Sequence, residues 1–258
     1  MGLHPQLIDA HSHFDDASFD VDRQQALSRA EQAGVTQQII PAIKAAWWPR
    51  IKQLCLDHPG LHPSYGLHPM FLSDHQDEHI DQLGEWLAAE QPVAVGECGL
   101  DFYIEDPQPE RQQQLFEAQL ELAGRYDLPV IIHARRSVEE VINTLRRFPG
   151  LRGMLHSYSG SEQQAHRLID MGFYLSFGGP VTYERAKRLR HLVESLPLES
   201  LLIETDSPDQ PDTQHRGERN EPAYLPLILE LFSQLRKQPT EEIAAQTRLN
   251  TQQLFRLQ

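Results

Sequence analysis

Eight short apolar runs, separated by longer stretches of helical periodicity, constrain this chain more than any other feature. They lie at residues 7–10, 38–41, 63–66, 93–96, 130–132, 153–155, 173–176 and 201–203. A run that is apolar throughout, without alternation, has both faces buried, as in a parallel sheet covered by helices. The third run, Pro63-Ser64-Tyr65-Gly66, is the weakest, and its pattern also suits a segment of buried helix. Between the runs, Ser137-Val138-Glu139-Glu140 and Ser161-Glu162-Gln163-Gln164 have capping-box spacing, with Gly150 and Gly172 as stops. Leu115, Phe116, Leu120 and Ala123 repeat at helical spacing across 112–126, and 225–235 and 241–257 complete an outer helical layer. Eight βα units in 258 residues predict a TIM-type (β/α)8 barrel, an α/β fold, as a single domain over 1–258. The competing doubly wound sheet lacks its usual Gly-x-Gly-x-x-Gly after the first run.

Composition narrows the function classes. The formal charge is −14, and the positive clusters are short: Arg135-Arg136, Arg146-Arg147 and Lys187-Arg188-Leu189-Arg190. They read as solvated helix faces, so a chain of this charge that handles phosphates must find positive charge elsewhere. No apolar stretch approaches the length of a membrane span, and the first residues lack the pattern of a secretory leader or a myristoylation signal. Cys55 and Cys98 cannot build a disulfide framework. The expectation is a cytoplasmic protein with no membrane contact and no obligate protein partner.

The chemistry gathers where the runs end. Asp9-Ala10-His11-Ser12-His13 closes the first run, and residues two apart on a strand share a face, so His11 and His13 can present two imidazoles to one point. Glu97 follows the fourth run, His133 the fifth, His156 the sixth, and Glu204-Thr205-Asp206 the eighth. In a barrel all these ends meet on one face, where such enzymes keep their sites. Four histidines, one glutamate and one aspartate exceed the donor set of a single tetrahedral zinc, which takes three when catalytic. Two ions sharing a carboxylate divide the set, with Glu97 as the bridge. Nitrogen-rich ligation favours zinc, manganese, iron or cobalt and still permits magnesium at the carboxylate-rich half.

The blocks His11-Ser12-His13, Gly96-Glu97-Cys98-Gly99-Leu100-Asp101, Ile132-His133-Ala134-Arg135, His156-Ser157-Tyr158-Ser159-Gly160, Glu204-Thr205-Asp206-Ser207-Pro208 and Arg219-Asn220-Glu221-Pro222 together resemble the signature of the TatD-related metal-dependent deoxyribonucleases. The resemblance covers residues 8 to 225. It implies a metallo-hydrolase barrel in which His11, His13, Glu97, His133, His156 and Asp206 bind two divalent ions, or three, zinc or manganese foremost. It also implies phosphodiester hydrolysis on DNA ends or single-stranded DNA, with His68 contacting a phosphate oxygen.

On that reading Glu97 and Asp206 carry the chemistry, since a divalent ion acidifies water towards neutral pH and a carboxylate accepts the proton. Asp206 serves as ligand, as proton acceptor, or as both in turn. Glu204 is expected to orient an imidazole or to pair with a buried cation. Arg135 either contributes a charge-assisted bond to phosphate or pairs with a neighbouring helix. His68 is otherwise a loop residue capping a backbone carbonyl. Cys98 is expected to be a small buried side chain, and Trp47 and Trp48 either stack on bases or pack at a helix start. Two further functions stay open at this stage. One is a barrel amidohydrolase cleaving a C–N or C–O bond of a small metabolite; the other is a non-catalytic metal-binding barrel.

Overall fold

A computed structural model of the chain, describing residues 5–258, alternates strands and helices. The strands are β1 (Leu7–Asp9), β2 (Val35–Pro41), β3 (Leu61–Tyr65), β4 (Ala94–Asp101), β5 (Val130–Arg135), β6 (Gly153–Leu155), β7 (Phe173–Phe177) and β8 (Leu201–Ile203). All eight runs form strands, including the third. They follow chain order through one eight-stranded sheet. The helices are α1 (Arg23–Gln32), α2 (Trp48–Asp57), α3 (Glu78–Glu90), α4 (Pro109–Tyr126), α5 (Val138–Leu145), α6 (Glu162–Asp170), α7 (Lys187–Ser195), α8 (Leu225–Arg236) and α9 (Thr240–Phe255). No helix among the described residues is long and apolar enough to cross a membrane.

The chain forms two compact units, one of Met1–Ile40 with Leu175–Gln258 and one of Pro41–Tyr174. In the first, β1 pairs with β2 in parallel, Leu7 opposite Val35, and β7 with β8, Leu175 opposite Leu201. The Ala10 N–H donates to the Ile203 carbonyl at 3.1 Å, so the last strand of the chain lies beside the first. Leu7, Ile8, Leu201 and Leu202 are buried on the strands, and Leu225, Ile228, Phe232, Ile243 and Leu254 cover them from α8 and α9. Each such side chain contributes roughly 1.5–3 kcal/mol by leaving water. Asn250 of α9 donates to the carbonyls of Leu198 and Leu201, both at 2.8 Å, and so fixes the helix to the entry of β8.

In the second unit β4 pairs in parallel with both β3 and β5, and β5 with β6. The β4–β5 register shifts between Val95 and Cys98. Gly96 sits at φ +143°, and a Cβ there would lie 2.6 Å from the Ile131 carbonyl oxygen. A Cβ on Gly66 would lie 2.6 Å from Gly96 itself, so only glycine lets the backbones approach at both points. Helix α4 contributes two fully buried glutamines that bond the chain just after β3 and the end of β4. Gln119 accepts from Leu67 N–H at 2.8 Å and donates to its carbonyl, and Gln112 does the same for Asp101 at 2.7 and 2.8 Å. Each unmade buried bond of this kind would cost about 1–3 kcal/mol.

Two local expectations change. Ser137 does not cap α5; its hydroxyl donates to the Leu100 carbonyl instead and fastens β5's exit to β4. The Ser161–Gln164 capping box of α6 is complete in both directions. Helix α4 starts at Pro109, ahead of residue 112, because proline suits the first helical turn, where its missing N–H is no loss.

Candidate metal centre

In the first unit, His11 and His13 lie beyond the end of β1, and Glu204 to Asp206 beyond the end of β8. Strand alternation therefore does not place these side chains. Interlocked loops do. Asp206 N–H donates to the His11 carbonyl at 2.9 Å, and His13 N–H to the Ser207 carbonyl at 2.8 Å. Below them, fully buried Asp9 accepts from Thr205 N–H at 2.9 Å, from the Thr205 hydroxyl at 2.5 Å and from His11 N–H at 3.3 Å. Burial raises the Asp9 pKa to about 7 against the opposing hydrogen bonds, and the neighbouring Glu204 adds to the rise. The result brings His11 Nε2 and His13 Nε2 to 3.3 Å, with Asp206 Oδ1 at 3.5 and 3.7 Å from them. Two nitrogens each about 2.05 Å from one tetrahedral zinc would be about 3.4 Å apart. Asp206 itself is held at φ +56°, in the left-handed region that a non-glycine residue adopts only when its surroundings impose it.

The second unit assembles a separate donor set around Glu97, which is 1% exposed. Glu97 is in the middle of β4, not at its tip as the run pattern suggested, and the register shift at Gly96 sets its direction. Its Oε1 lies 2.8 Å from His156 Nε2, 3.2 Å from His133 Nδ1 and 3.0 Å from His68 Nε2. His133 Nδ1 and His156 Nε2 are 3.2 Å apart. Glu97, His133 and His156 thus converge with the spacing of donors on one ion, and a nitrogen-plus-carboxylate set of this kind fits zinc or manganese. His68 differs in kind. Its Nδ1 accepts from Met70 N–H at 3.0 Å, so its proton sits on Nε2 and faces Glu97 as a donor.

Sequence reasoning missed Asp101. Buried at the end of β4, it lies 3.0 Å from His133 Nε2, which turns the ring's Nδ1 towards Glu97. Burial pushes the Asp101 carboxyl up, but bonds from His133 and Tyr103 N–H outweigh that and hold it below its ordinary value. His133 is raised: burial lowers it, and Asp101 and Glu97 more than compensate. Asp101 stands in the same quoted block as Glu97, so the only available signal was a second carboxylate four residues on along the strand.

Among the remaining residues, Cys98 is buried and its thiol is pushed up by that burial. Trp48 is buried with its indole N–H on the Gly66 carbonyl, whereas Trp47 is partly exposed beneath Lys44 Nζ, 5.5 Å from its ring centroid. Arg135 is exposed and lies on Tyr103, not on a neighbouring helix. Glu204 is fully buried beside Asp9.

Residues 8–256 match the family model described as TatD related DNase. The chain is 42% identical over 253 residues to the uncharacterized metal-dependent hydrolase YjjV of Escherichia coli K12, covering 97% of this chain and 98% of that one. It is 33% identical to the 3'-5' ssDNA/RNA exonuclease TatD of Erwinia tasmaniensis, over 97% of this chain and all of the relative. The crystal structure of the E. coli YjjV protein superposes with a TM-score of 0.94 at 41% identity over 98% of this chain and 99% of that one. The fold is accordingly the expected TIM-type barrel of parallel strands and alternating helices, and the chain belongs to the TatD-related DNase family of metal-dependent hydrolases.

Proposed function

We propose that this metal-dependent hydrolase is a phosphodiesterase that trims single-stranded DNA from its ends, working as one barrel domain over 1–258. The observation that carries the reading is the burial of a carboxylate, Glu97, against three imidazoles, a set that suits a divalent cation far better than an empty core. Relatives named as ssDNA/RNA exonucleases supply the substrate class. His11, His13 and Asp206 would hold one ion, and His133, His156 and Glu97 another, with zinc or manganese preferred. When bound, such ions polarise a phosphoryl oxygen and acidify water. Asp206 would accept a proton from the attacking water, and His68 would turn its Nε2–H from Glu97 to a phosphate oxygen once an ion engages that carboxylate. Asp101 and Asp9 fix the ligand rings and loops, with Glu204 as a further buried carboxylate beside Asp9. Cys55 and Cys98 form no disulfide, which suits a reducing compartment, and we place the enzyme in the cytoplasm.

The test is product analysis on linear single-stranded, linear duplex and closed circular DNA with zinc, manganese and magnesium in turn. Mononucleotides released from single-stranded ends are expected, with little action on the closed circle. At −14 the body repels DNA at long range, so binding engages few phosphates and the salt dependence is shallow, about −0.7 in log–log slope per phosphate. Rapid linearisation of the circle would point to an endonuclease. Cleavage of dipeptides or acylated amines but no phosphodiester would replace the reading with an amidohydrolase.

A further inference from the structure

Tyr103, just past β4, is 49% exposed and carries two guanidiniums. The Arg135 guanidinium carbon is 3.9 Å from the ring centroid and that of Arg136 is 4.2 Å. Several other arginines lie on carboxylates, among them Arg29, Arg111, Arg147, Arg152, Arg167 and Arg219. Arg135 and Arg136 form no such ion pair among the described residues and rest on the aromatic ring, which leaves their fork of N–H donors unspent. In a chain of charge −14, two adjacent cations held this way are a landing place for an anion.

The platform is tied to the donor set of the same unit. Tyr103 N–H donates to Asp101 Oδ1 at 2.8 Å, and Asp101 Oδ2 lies 3.0 Å from His133 Nε2. Phe102 N–H donates to the Arg135 carbonyl at 2.9 Å. Arg135 follows His133 by two residues on β5, about 7 Å along the strand. Arg136 is held at φ +56°, so the backbone takes an unfavourable conformation at the residue that brings the second guanidinium to the ring.

We propose that Tyr103, Arg135 and Arg136 form a subsite for the sugar-phosphate backbone of a single strand, gripping a phosphodiester upstream of the one that is cleaved. This rests on the nuclease reading above. Guanidiniums meet a phosphate through paired hydrogen bonds, and the tyrosine ring holds both forks in place before the strand arrives. The subsite selects for chain length, because a dinucleotide has a single phosphodiester and cannot reach it.

The experiment uses full-length, metal-loaded protein and fluorescein-labelled phosphorothioate oligothymidylates of two and eight nucleotides. In the Arg135→Gln/Arg136→Gln double variant, affinity for the octamer should fall about tenfold, and the salt slope should become shallower by about 0.7 per lost phosphate contact. Dinucleotide affinity should change far less. Lysine at both positions should restore the slope but not the full affinity, and Tyr103→Ala should weaken octamer binding at nearly constant slope. Unchanged octamer affinity in the double variant, or an equal loss for both lengths, overturns the subsite. Hydrolysis of the unmodified octamer by the wild type is read in parallel. Absence of products removes the nuclease reading and the subsite with it, whereas normal hydrolysis with unchanged double-variant binding removes the subsite alone.

Discussion

At the residue scale, two buried aspartates outside the ligand set decide how the ligands stand. Asp101→Asn keeps the shape but loses the charge that fixes the His133 ring. Metal affinity should fall by about 10–100-fold with the fold intact, measured by competition with a chromogenic chelator and by circular dichroism. Unchanged affinity would show that His133 is oriented by its own packing. Asp206→Asn should retain the fold and some metal while losing most turnover, because an amide oxygen can ligate but cannot take a proton. Near-normal kcat across pH 6–9 would leave Asp206 as a ligand only. Of the residues in the candidate site, the six proposed donors could be picked out as His, Glu and Asp at the ends of apolar runs. Asp9 and Asp101 could not be assigned their roles, because a supporting carboxylate looks like any other until its partner is in place.

At the element scale, the close approach of β3, β4 and β5 is what aims Glu97. Gly66→Ala would place a Cβ 2.6 Å from Gly96 and 2.7 Å from the Glu97 carbonyl oxygen, where only backbone could give way. A stability loss of about 2–3 kcal/mol is expected by denaturant titration, together with weaker metal binding. A second element-level feature joins α1 to the loop after β8. Arg219 and Arg29 both bond Asp22, and both also bond Glu221. Those bonds, Arg219 first, hold the Asp22 carboxyl far below the ordinary carboxylate range. Because the folded value is depressed, this stabilisation is complete above the ordinary carboxylate range and is lost as pH falls through the folded value. Asp22→Asn should therefore cost about 1 kcal/mol at pH 7, and the gap to wild type should begin to shrink below the ordinary carboxylate range and close only below the depressed folded value. A gap that stays at its pH 7 size throughout the acid range would show that the aspartate acts through packing.

At the scale of the whole molecule, the proposed ions are part of the fold's stability as well as its chemistry. The donors come together only in the folded chain, so metal binding to that state alone shifts the unfolding equilibrium. Chelation should lower Tm by about 5–10 °C relative to protein held at a hundredfold excess of metal over Kd, and re-addition should restore it. Identical melting with and without chelator would mean that the donor sets are not ion sites at all.

The alternation of apolar runs with helical periodicity, and the polar residues at the run ends, were determined by the amino-acid order alone. A fully apolar run can be satisfied only between two covering layers, and an ionisable residue beside it is costly unless it does something there. What only the tertiary structure decided is direction. His11, His13, Glu204 and Asp206 lie beyond their strands, so loop interlocking through Asp9, Thr205 and Ser207 replaced the strand geometry that was expected to aim them. Glu97 points as it does through a register shift that two glycines permit. Side-chain direction in a loop or a bulge depends on which distant backbone supplies the hydrogen bonds, and that partner is set by the folded arrangement and not by local spacing.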